Sequence, residues 1–340
     1  MDEYLTYDDV HIVPQYSEIS SRSNVDISTN LCGYDLNLPI IASPMESVMG
    51  ANMQATLDNN GATGTFHRFG NTDDVFIPVE GANKAGHHPV IASIGVDNDT
   101  LKVDMNFYSN QADIILIDVA HGHHKKVKMT LRWLKENYDI SVIAGNVATP
   151  EAALDLVKWG ADAIRVGVGG GSVCTTRVKT GVGVPMISCI REISEELNRL
   201  TYDKRENWHL DHISIIADGG MKTPGDIGKA LAAGADAVML GSMLAGTDEA
   251  PGEIIEVDGQ KMKKYYGSAS REQKGNNNYV EGVSELIPHK GSVVDILDDI
   301  KDGLQSAFSY VGASNLEEFH DNAELIKVSQ NGHREGKAHI

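Results

Sequence analysis

Cysteine is scarce in this chain: only Cys32, Cys174 and Cys189 occur in 340 residues. The odd count and the lack of any CxxC spacing exclude a closed disulfide framework and favour a reducing, cytosolic setting. Basic charge is also in short supply, 29 Lys and Arg against 48 Asp and Glu, for a net −19. Such a balance argues against a nucleic-acid groove or an anionic membrane surface as partner. A small anion is still within reach, because backbone amides and helix N-termini hold one whatever the whole-chain charge. No apolar run approaches the length of a membrane span, and the opening MDEYLTYDDV has no apolar signal core. The expectation is a cytoplasmic protein with small-molecule partners, no nucleic acid and no membrane.

What is present is a regular alternation. With 41% hydrophobic residues the chain suffices for one large core, and its 34 glycines suit a fold with many tight turns. Short, largely β-branched runs recur at Pro39–Ser43, Thr63–Phe66, Val90–Ile94, Ile114–Val119, Ser141–Ala144, Ala163–Val168, Ser214–Ala217 and Ala237–Leu240. They alternate little, as parallel strands covered on both faces do. Between them Lys126–Tyr138, Pro150–Trp159, Ile187–Leu200 and Pro224–Ala233 carry a helical period. Thr149-Pro150 and Thr223-Pro224 each place a capping hydroxyl before a first-turn proline. Gly-Ala-Asp-Ala at 160–163 and 234–237 puts a left-handed glycine at the helix end before the next strand. Eight strands alternating with helices predict an α/β fold, a TIM (β/α)8 barrel in a single domain.

The spacing breaks twice. A glycine-rich loop, 169–186, follows strand six, and a polar excursion, 243–292, separates strand eight from the last expected helix, Val294–Tyr310. Barrel enzymes build their sites from loops at the C-terminal ends of strands, so both insertions are expected over the active face. The catalytic domain is therefore read as 1–315, with the loop 169–186 and a short flap at 267–292. Residues 316–340 form a C-terminal segment, whose polar tail Asn331–Ile340 is read as disordered or packed on a neighbouring subunit.

Chemistry concentrates at three places. In Gly167-Val-Gly-Gly-Gly-Ser-Val-Cys174-Thr-Thr-Arg177 four glycines allow a close backbone approach and deliver a cysteine to the barrel mouth. On residue chemistry alone Cys174 reads either as a nucleophile with a lowered pKa or as a small buried hydrophobe, while Cys32 and Cys189 take the second reading. Ala217-Asp218-Gly219-Gly220 and Leu240-Gly241-Ser242 end strands seven and eight, where barrels place their phosphate site. Asp218 is positioned to accept from ribose hydroxyls; tight turns alone are the competing explanation for the glycines. Asp118 and Asn146 end strands four and five, as site residues do. His121, His123 and His124 cluster without a carboxylate at metal-ligand spacing and are read as a solvated loop, and Asp298–Asp302 as the wet face of a helix.

Together the GSxCTTR loop, Ala-Asp-Gly-Gly, Gly-Asp-Ile-x-Lys-Ala, Ala-Val-Met-Leu-Gly-Ser and Leu-Thr-Tyr-Asp-Asp-Val (5–10) resemble the IMP dehydrogenase/GMP reductase family over residues 5 to about 315. The resemblance implies a barrel, usually tetrameric, whose loop cysteine attacks C2 of a purine nucleotide to form a covalent thioimidate. The dehydrogenase branch passes hydride from IMP to NAD and hydrolyses the adduct to XMP. The reductase branch expels ammonia from GMP and reduces the adduct to IMP with NAD(P)H. Three features favour the reductase branch. Only Arg68–Pro89 separates strands two and three, leaving no room for a CBS-domain pair. The flap sequence GSASREQKGNNNYVEG has no Arg-Tyr pair, and the stretches 177–183 and 309–313 look like those of reductases.

The resemblance assigns roles by position. Cys174 is the nucleophile, and Thr176 with Glu281 is the pair that handles the proton of the departing ammonia. Substrate contacts fall on Met45, Ser172, Asp218, Gly219, Gly220, Gly241, Ser242, Tyr265, Gly267, Ser268, Ala269, Ser270 and Gly282. The cofactor, NADPH or NADH, is expected at Arg68, Gly95, Asp118 and Ala120, and a K+ ion at the carbonyls of Gly169, Gly171 and Cys174. The partners implied are GMP or IMP, a nicotinamide dinucleotide and further copies in a homotetramer. Three departures stand out: Gly170 replaces the usual proline of the loop, Ser43-Pro44-Met45-Glu46 the usual Ala-x-Met-Asp, and Arg68 a frequent lysine. The competing readings are a dehydrogenase without CBS domains, using Arg271 and Tyr279 to activate water, and a catalytically silent nucleotide binder.

Overall fold

The structure is a computed structural model that describes residues 3–69, 88–202, 213–267, 270 and 282–336. The N-terminal strand β1 (Val10–Val13) is followed by a hairpin, β2 (Thr29–Leu31) and β3 (Tyr34–Leu36). The eight predicted strands follow as β4 (Ile40–Ala42), β5 (Thr63–Phe66), β6 (Ile91–Ile94), β7 (Ile114–Asp118), β8 (Ser141–Val147), β9 (Ala163–Val166), β10 (Ser214–Asp218) and β11 (Ala237–Leu240). They close into a barrel of parallel neighbours, β11 returning to β4 through Val238↔Ile40 and Leu240↔Ala42. Helices α1 (Ala51–Asn59), α2 (Asn98–Tyr108), α3 (Lys125–Asn137), α4 (Pro150–Trp159), a short α5 (Thr176–Thr180), α6 (Met186–Tyr202) and α7 (Pro224–Ala232) lie between the strands.

The repeated sequence unit has a visible physical basis. Thr149 Oγ1 accepts from the Ala152 amide at 3.3 Å, and Thr223 and Asp226 form a reciprocal capping box around the start of α7. Gly160 and Gly234 sit at φ +110° and +100°, the left-handed turns expected at both positions. The aspartate of each Gly-Ala-Asp-Ala then does a second job: Asp162 accepts from the Val142 amide and Asp236 from the Ile215 amide, each at 2.7 Å, and Asp113 holds Val90 in the same way at 2.8 Å. Each carboxylate thus satisfies an orphan amide at the start of the preceding strand.

Which end of the barrel is open follows from the packing. Leu31 and Leu36 of the β2–β3 hairpin share one buried cluster with the inward-facing Ile41, Ile91, Ile114, Leu116, Ile143, Ile216 and Met239. The Asn30 carbonyl accepts from Ser214 Oγ at the start of β10. The hairpin therefore plugs the N-terminal end, and only the C-terminal end is free to carry a site.

Two expectations about irregular regions are corrected. The excursion 243–292 contains an antiparallel sheet, β12 (Ile255–Val257), β13 (Gln260–Tyr266) and β14 (Ser284–Pro288), anchored by the buried Lys263, whose Nζ donates to the carbonyls of Thr247 and Ala250. The helix α8 (Val293–Tyr310) is not the last: α9 (Leu316–Asn322), β15 (Glu324–Lys327) and α10 (Gln330–Glu335) follow, so the tail begins in a helix. Phe319 of α9 stacks on Phe308 of α8 at 3.9 Å, and β15 pairs antiparallel with β1. Among the described residues no helix is long and apolar enough to cross a membrane. Asp298, Asp299, Lys301 and Asp302 form the exposed face of α8, as expected.

Candidate active site

A cavity of about 250 Å³ opens at the C-terminal end of the barrel, under the glycine-rich loop. Cys174 overhangs it. Its amide donates to the Gly171 carbonyl at 3.1 Å, and it pairs with Gly282 as an isolated antiparallel bridge, next to a bond from the Val283 amide to the Val173 carbonyl. The cysteine is thus braced from the flap side as well as by its own loop. Its Sγ lies 3.2 Å from Thr176 Oγ1, donating to it.

The floor of the cavity is polar and tightly bonded. Arg165, on β9, donates from Nη1 to Asp118 at 2.8 Å and from Nε to Asp218 at 2.9 Å. Asn146 Nδ2 donates to the same Asp218 oxygen at 2.7 Å and to the Gly167 carbonyl at 2.8 Å. Burial acts to lower the Arg165 pKa, but the flanking Asp218 and Asp118 outweigh it and raise it, so the guanidinium stays charged. Sequence reasoning missed Arg165. The signal was a charged residue inside the four-residue apolar strand Ala163–Val166, where burial on both faces tolerates a guanidinium only with partners in place.

At one end of the cavity the turns after β10 and β11 face Ser172 and Tyr265, whose hydroxyls lie 3.3 Å apart. Gly219 and Gly220 take φ of +94° and +87°, and a Cβ on Gly219 would lie 3.0 Å from the Gly170 backbone. A Cβ on Gly241 would lie 3.1 Å from Tyr265 Oη and 3.2 Å from Met45 Sδ. Close approach, not only turning, thus accounts for these glycines. At the other end, Arg68 Nε lies 3.8 Å from Asp118, its guanidinium is 4.7 Å from the centre of the Phe69 ring, and a Cβ on Gly95 would come within 3.3 Å of it.

The cavity therefore brings together Met45, Arg68, Asp118, Ala120, Gly169, Gly171, Ser172, Cys174, Thr176, Asp218, Gly219, Gly220, Gly241, Ser242, Tyr265, Gly267 and Gly282. Gly95 lies behind Arg68 and does not line it. Ser270 is buried beside the flap, its amide bonded to the Gly267 carbonyl and its hydroxyl without a partner among the described residues. Ser268, Ala269 and Glu281 lie outside the described residues, as do Arg271 and Tyr279. Two of the three loop histidines have structural partners: His124 Nδ1 accepts from the Lys126 amide to cap α3, and His123 pairs with Asp155 at 2.9 Å and stacks on Trp159, while His121 is exposed. Among the described residues no cluster of three or more His, Cys, Asp or Glu is placed to hold a metal.

Residues 4–339 match the IMP dehydrogenase / GMP reductase domain family. The chain belongs to that family. Its members are oxidoreductases that use a nicotinamide dinucleotide, and this chain is one of them. Among named relatives, an inosine-5'-monophosphate dehydrogenase of Nitrosopumilus maritimus is 41% identical over 286 residues, which cover 79% of this chain but only 58% of that protein. A GMP reductase of Streptococcus agalactiae is 38% identical over 329 residues, 95% of each chain. Among solved structures, a variant of GMP reductase from Trypanosoma brucei in complex with guanosine 5'-monophosphate superposes with a TM-score of 0.91 at 26% identity, covering 100% of this chain and 98% of that one.

Proposed function

We propose that the protein is a GMP reductase, catalysing NAD(P)H-dependent reductive deamination of GMP to IMP and ammonia in purine nucleotide interconversion. The observation that carries this reading is the cavity itself, a thiol and a threonine hydroxyl 3.2 Å apart over a site of about 250 Å³. Likeness to the streptococcal reductase over 95% of each chain supports it.

The nucleotide lies with its phosphate on the turns of Gly219-Gly220 and Gly241-Ser242, within reach of Ser172 and Tyr265. Its ribose meets Asp218: Asn146 and Arg165 both donate to Oδ2, which leaves Oδ1 as the acceptor for a sugar hydroxyl. The base then reaches Cys174, with Met45 and the flap residues Gly267, Ser270 and Gly282 around it. Cys174 Sγ adds to C2; the C2–N bond breaks, and the amine leaves as ammonia with a proton handled by Thr176 and Glu281. Proton transfer of this kind contributes roughly 10²–10⁴ in rate. A bound nicotinamide dinucleotide supplies the hydride that takes the amine's place at C2. The C–S bond then breaks, releasing IMP and restoring the thiol.

The residues at the Arg68 end fit such a cofactor. A half-exposed guanidinium over an aromatic ring, with a bare backbone at Gly95 beside it, offers a charged and a flat surface next to Asp118 and Ala120. NADPH is the expected donor. A K+ ion would be held by the carbonyls of Gly169, Gly171 and Cys174, of which that of Gly171 already accepts from Cys174. The assembly is a homotetramer.

The 41% identity with the Nitrosopumilus maritimus dehydrogenase favours a second reading, an IMP dehydrogenase without CBS domains that shares the Cys174 adduct and hydrolyses it. Cys174→Ser and Cys174→Ala variants test the shared chemistry: both should lose turnover while still binding nucleotide. Unchanged turnover in either variant would refute covalent catalysis.

A further inference from the structure

We propose that Arg177 is the positioning residue of the cysteine loop: one guanidinium ties the two ends of the loop together and so sets where Cys174 and Thr176 stand. This inference rests on the reading of Cys174 as nucleophile, and its test includes a readout that needs no substrate.

Arg177 lies three residues beyond Cys174 on the short helix α5. Its Nε donates to the Val168 carbonyl at 3.0 Å, just beyond β9, and its Nη2 to the Val184 carbonyl at 2.5 Å, just before α6. The segment between those carbonyls carries Ser172, Cys174 and Thr176. A planar cation with donors in a fixed fork holds two acceptors in one geometry, and its bonds are charge-assisted.

Flap contacts brace the loop at Val173 and Cys174, but the half beyond Cys174 buries little of its own. Val178 is 88% exposed and Val182 is 59% exposed, so burial of its own apolar side chains contributes little in this half of the loop. The helix α5 is only five residues long, too short to persist without tertiary support. Its end is closed by the Gly181 amide bonding to the carbonyl of Arg177 itself, at 2.9 Å. The backbone and the side chain of one residue therefore fix the helix end and both ends of the loop.

The surrounding sequence is shaped to admit that side chain. A Cβ on Gly169 would lie 2.7 Å from Arg177 Cγ, and one on Gly183 would lie 2.5 Å from its Nε. Neither separation is one that a real Cβ tolerates, and Gly183 has no tight turn of its own to explain it. Two glycines on opposite sides of the loop thus make a slot through which the arginine reaches both carbonyls.

The experiment compares Arg177→Met and Arg177→Lys with the unaltered enzyme by steady-state kinetics, by the pH profile of Cys174 alkylation with iodoacetamide, and by addition of millimolar guanidinium. The Met variant should lose about 10²-fold in kcat, the scale of misplacing a reacting group by an ångström, while GMP binding is retained. Its alkylation profile should shift in the nucleotide-free protein, and guanidinium should restore part of both losses. The Lys variant, which keeps the charge without the fork, should fall between the two and serves if the Met variant does not fold. An unchanged kcat would overturn the proposal, as would a lost kcat with an unaltered alkylation profile and no rescue. Failure of the reductase reading looks different: the alkylation shift and its rescue would persist in a protein that does not turn over GMP.

Discussion

Arg165 Nε lies 2.9 Å from the carboxylate of Asp218, and the other arm of the same guanidinium holds Asp118 at 2.8 Å. One cation thus joins the residue assigned to the ribose with the residue assigned to the cofactor end of the cavity. Removing it takes from both carboxylates their shared cation in a largely buried floor. Arg165→Met should destabilise the fold by about 3–5 kcal/mol, the usual cost of breaking a buried pair from one side. Urea unfolding of the variant measures this. Arg165→Lys keeps the charge but not the fork and should lie between Met and the unaltered chain.

The three cysteines should separate cleanly by reactivity. Burial pushes the thiols of both Cys32 and Cys189 up to about 12; Cys189 is buried, and of the two partly exposed thiols, Cys32 and Cys174, only Cys174 lines the cavity. Iodoacetamide at neutral pH should therefore modify Cys174 first and leave the other two intact, as peptide mapping would show. A saturating nucleotide should protect it. Early labelling of Cys189 would contradict the structure.

The same two thiols set a direction for alkaline stability. Their ordinary value is 9.0, so above about pH 9 the unfolded chain gives up protons that the folded chain keeps. The unfolded state then binds fewer protons, and stability falls as pH rises through that range. Denaturant midpoints should decline from pH 9 upward, and less steeply in a Cys32→Ala, Cys189→Ala double variant, once the cavity left at Cys189 is allowed for at neutral pH.

Much of the barrel was legible in the sequence because its signals are local and repeated. Each barrel strand is a short apolar run, two helices begin at a capping Thr-Pro, and each Gly-Ala-Asp-Ala closes one unit and opens the next. The sheet β12–β14 was not legible: its strands are short and largely exposed, with Ile255, Glu256 and Val257 all at the surface, so no alternation marks them. The pairing of β1 with β15 joins opposite ends of the chain, which no local window contains. At the site, Cys174 and the glycine pairs announced themselves by composition. Arg165 and Arg177 did not, since their work is to bond groups that only the closed barrel brings near.

Two neighbouring glycines of the cysteine loop should respond differently to substitution. Gly169 has φ +71° and abuts Arg177, so Gly169→Ala strains the backbone and pushes the arginine aside. Gly170 is not left-handed; the nearest atoms to a Cβ there are Met186 Sδ at 3.3 Å and the Asp218 carbonyl at 3.5 Å. Gly170→Ala should retain activity and raise stability by up to about 1 kcal/mol through a less mobile unfolded chain. Gly169→Ala should lose most of its kcat. Thermal unfolding with steady-state kinetics on the two variants checks the contrast; equal behaviour would show that the loop is not built as described.

The most direct test of the central claim is a two-substrate assay on the purified protein, GMP with NADPH in one arm and IMP with NAD in the other. The expected result is oxidation of NADPH with one IMP and one ammonia formed per dinucleotide, all lost in Cys174→Ser. Formation of XMP from IMP and NAD, with no turnover of GMP, would contradict it.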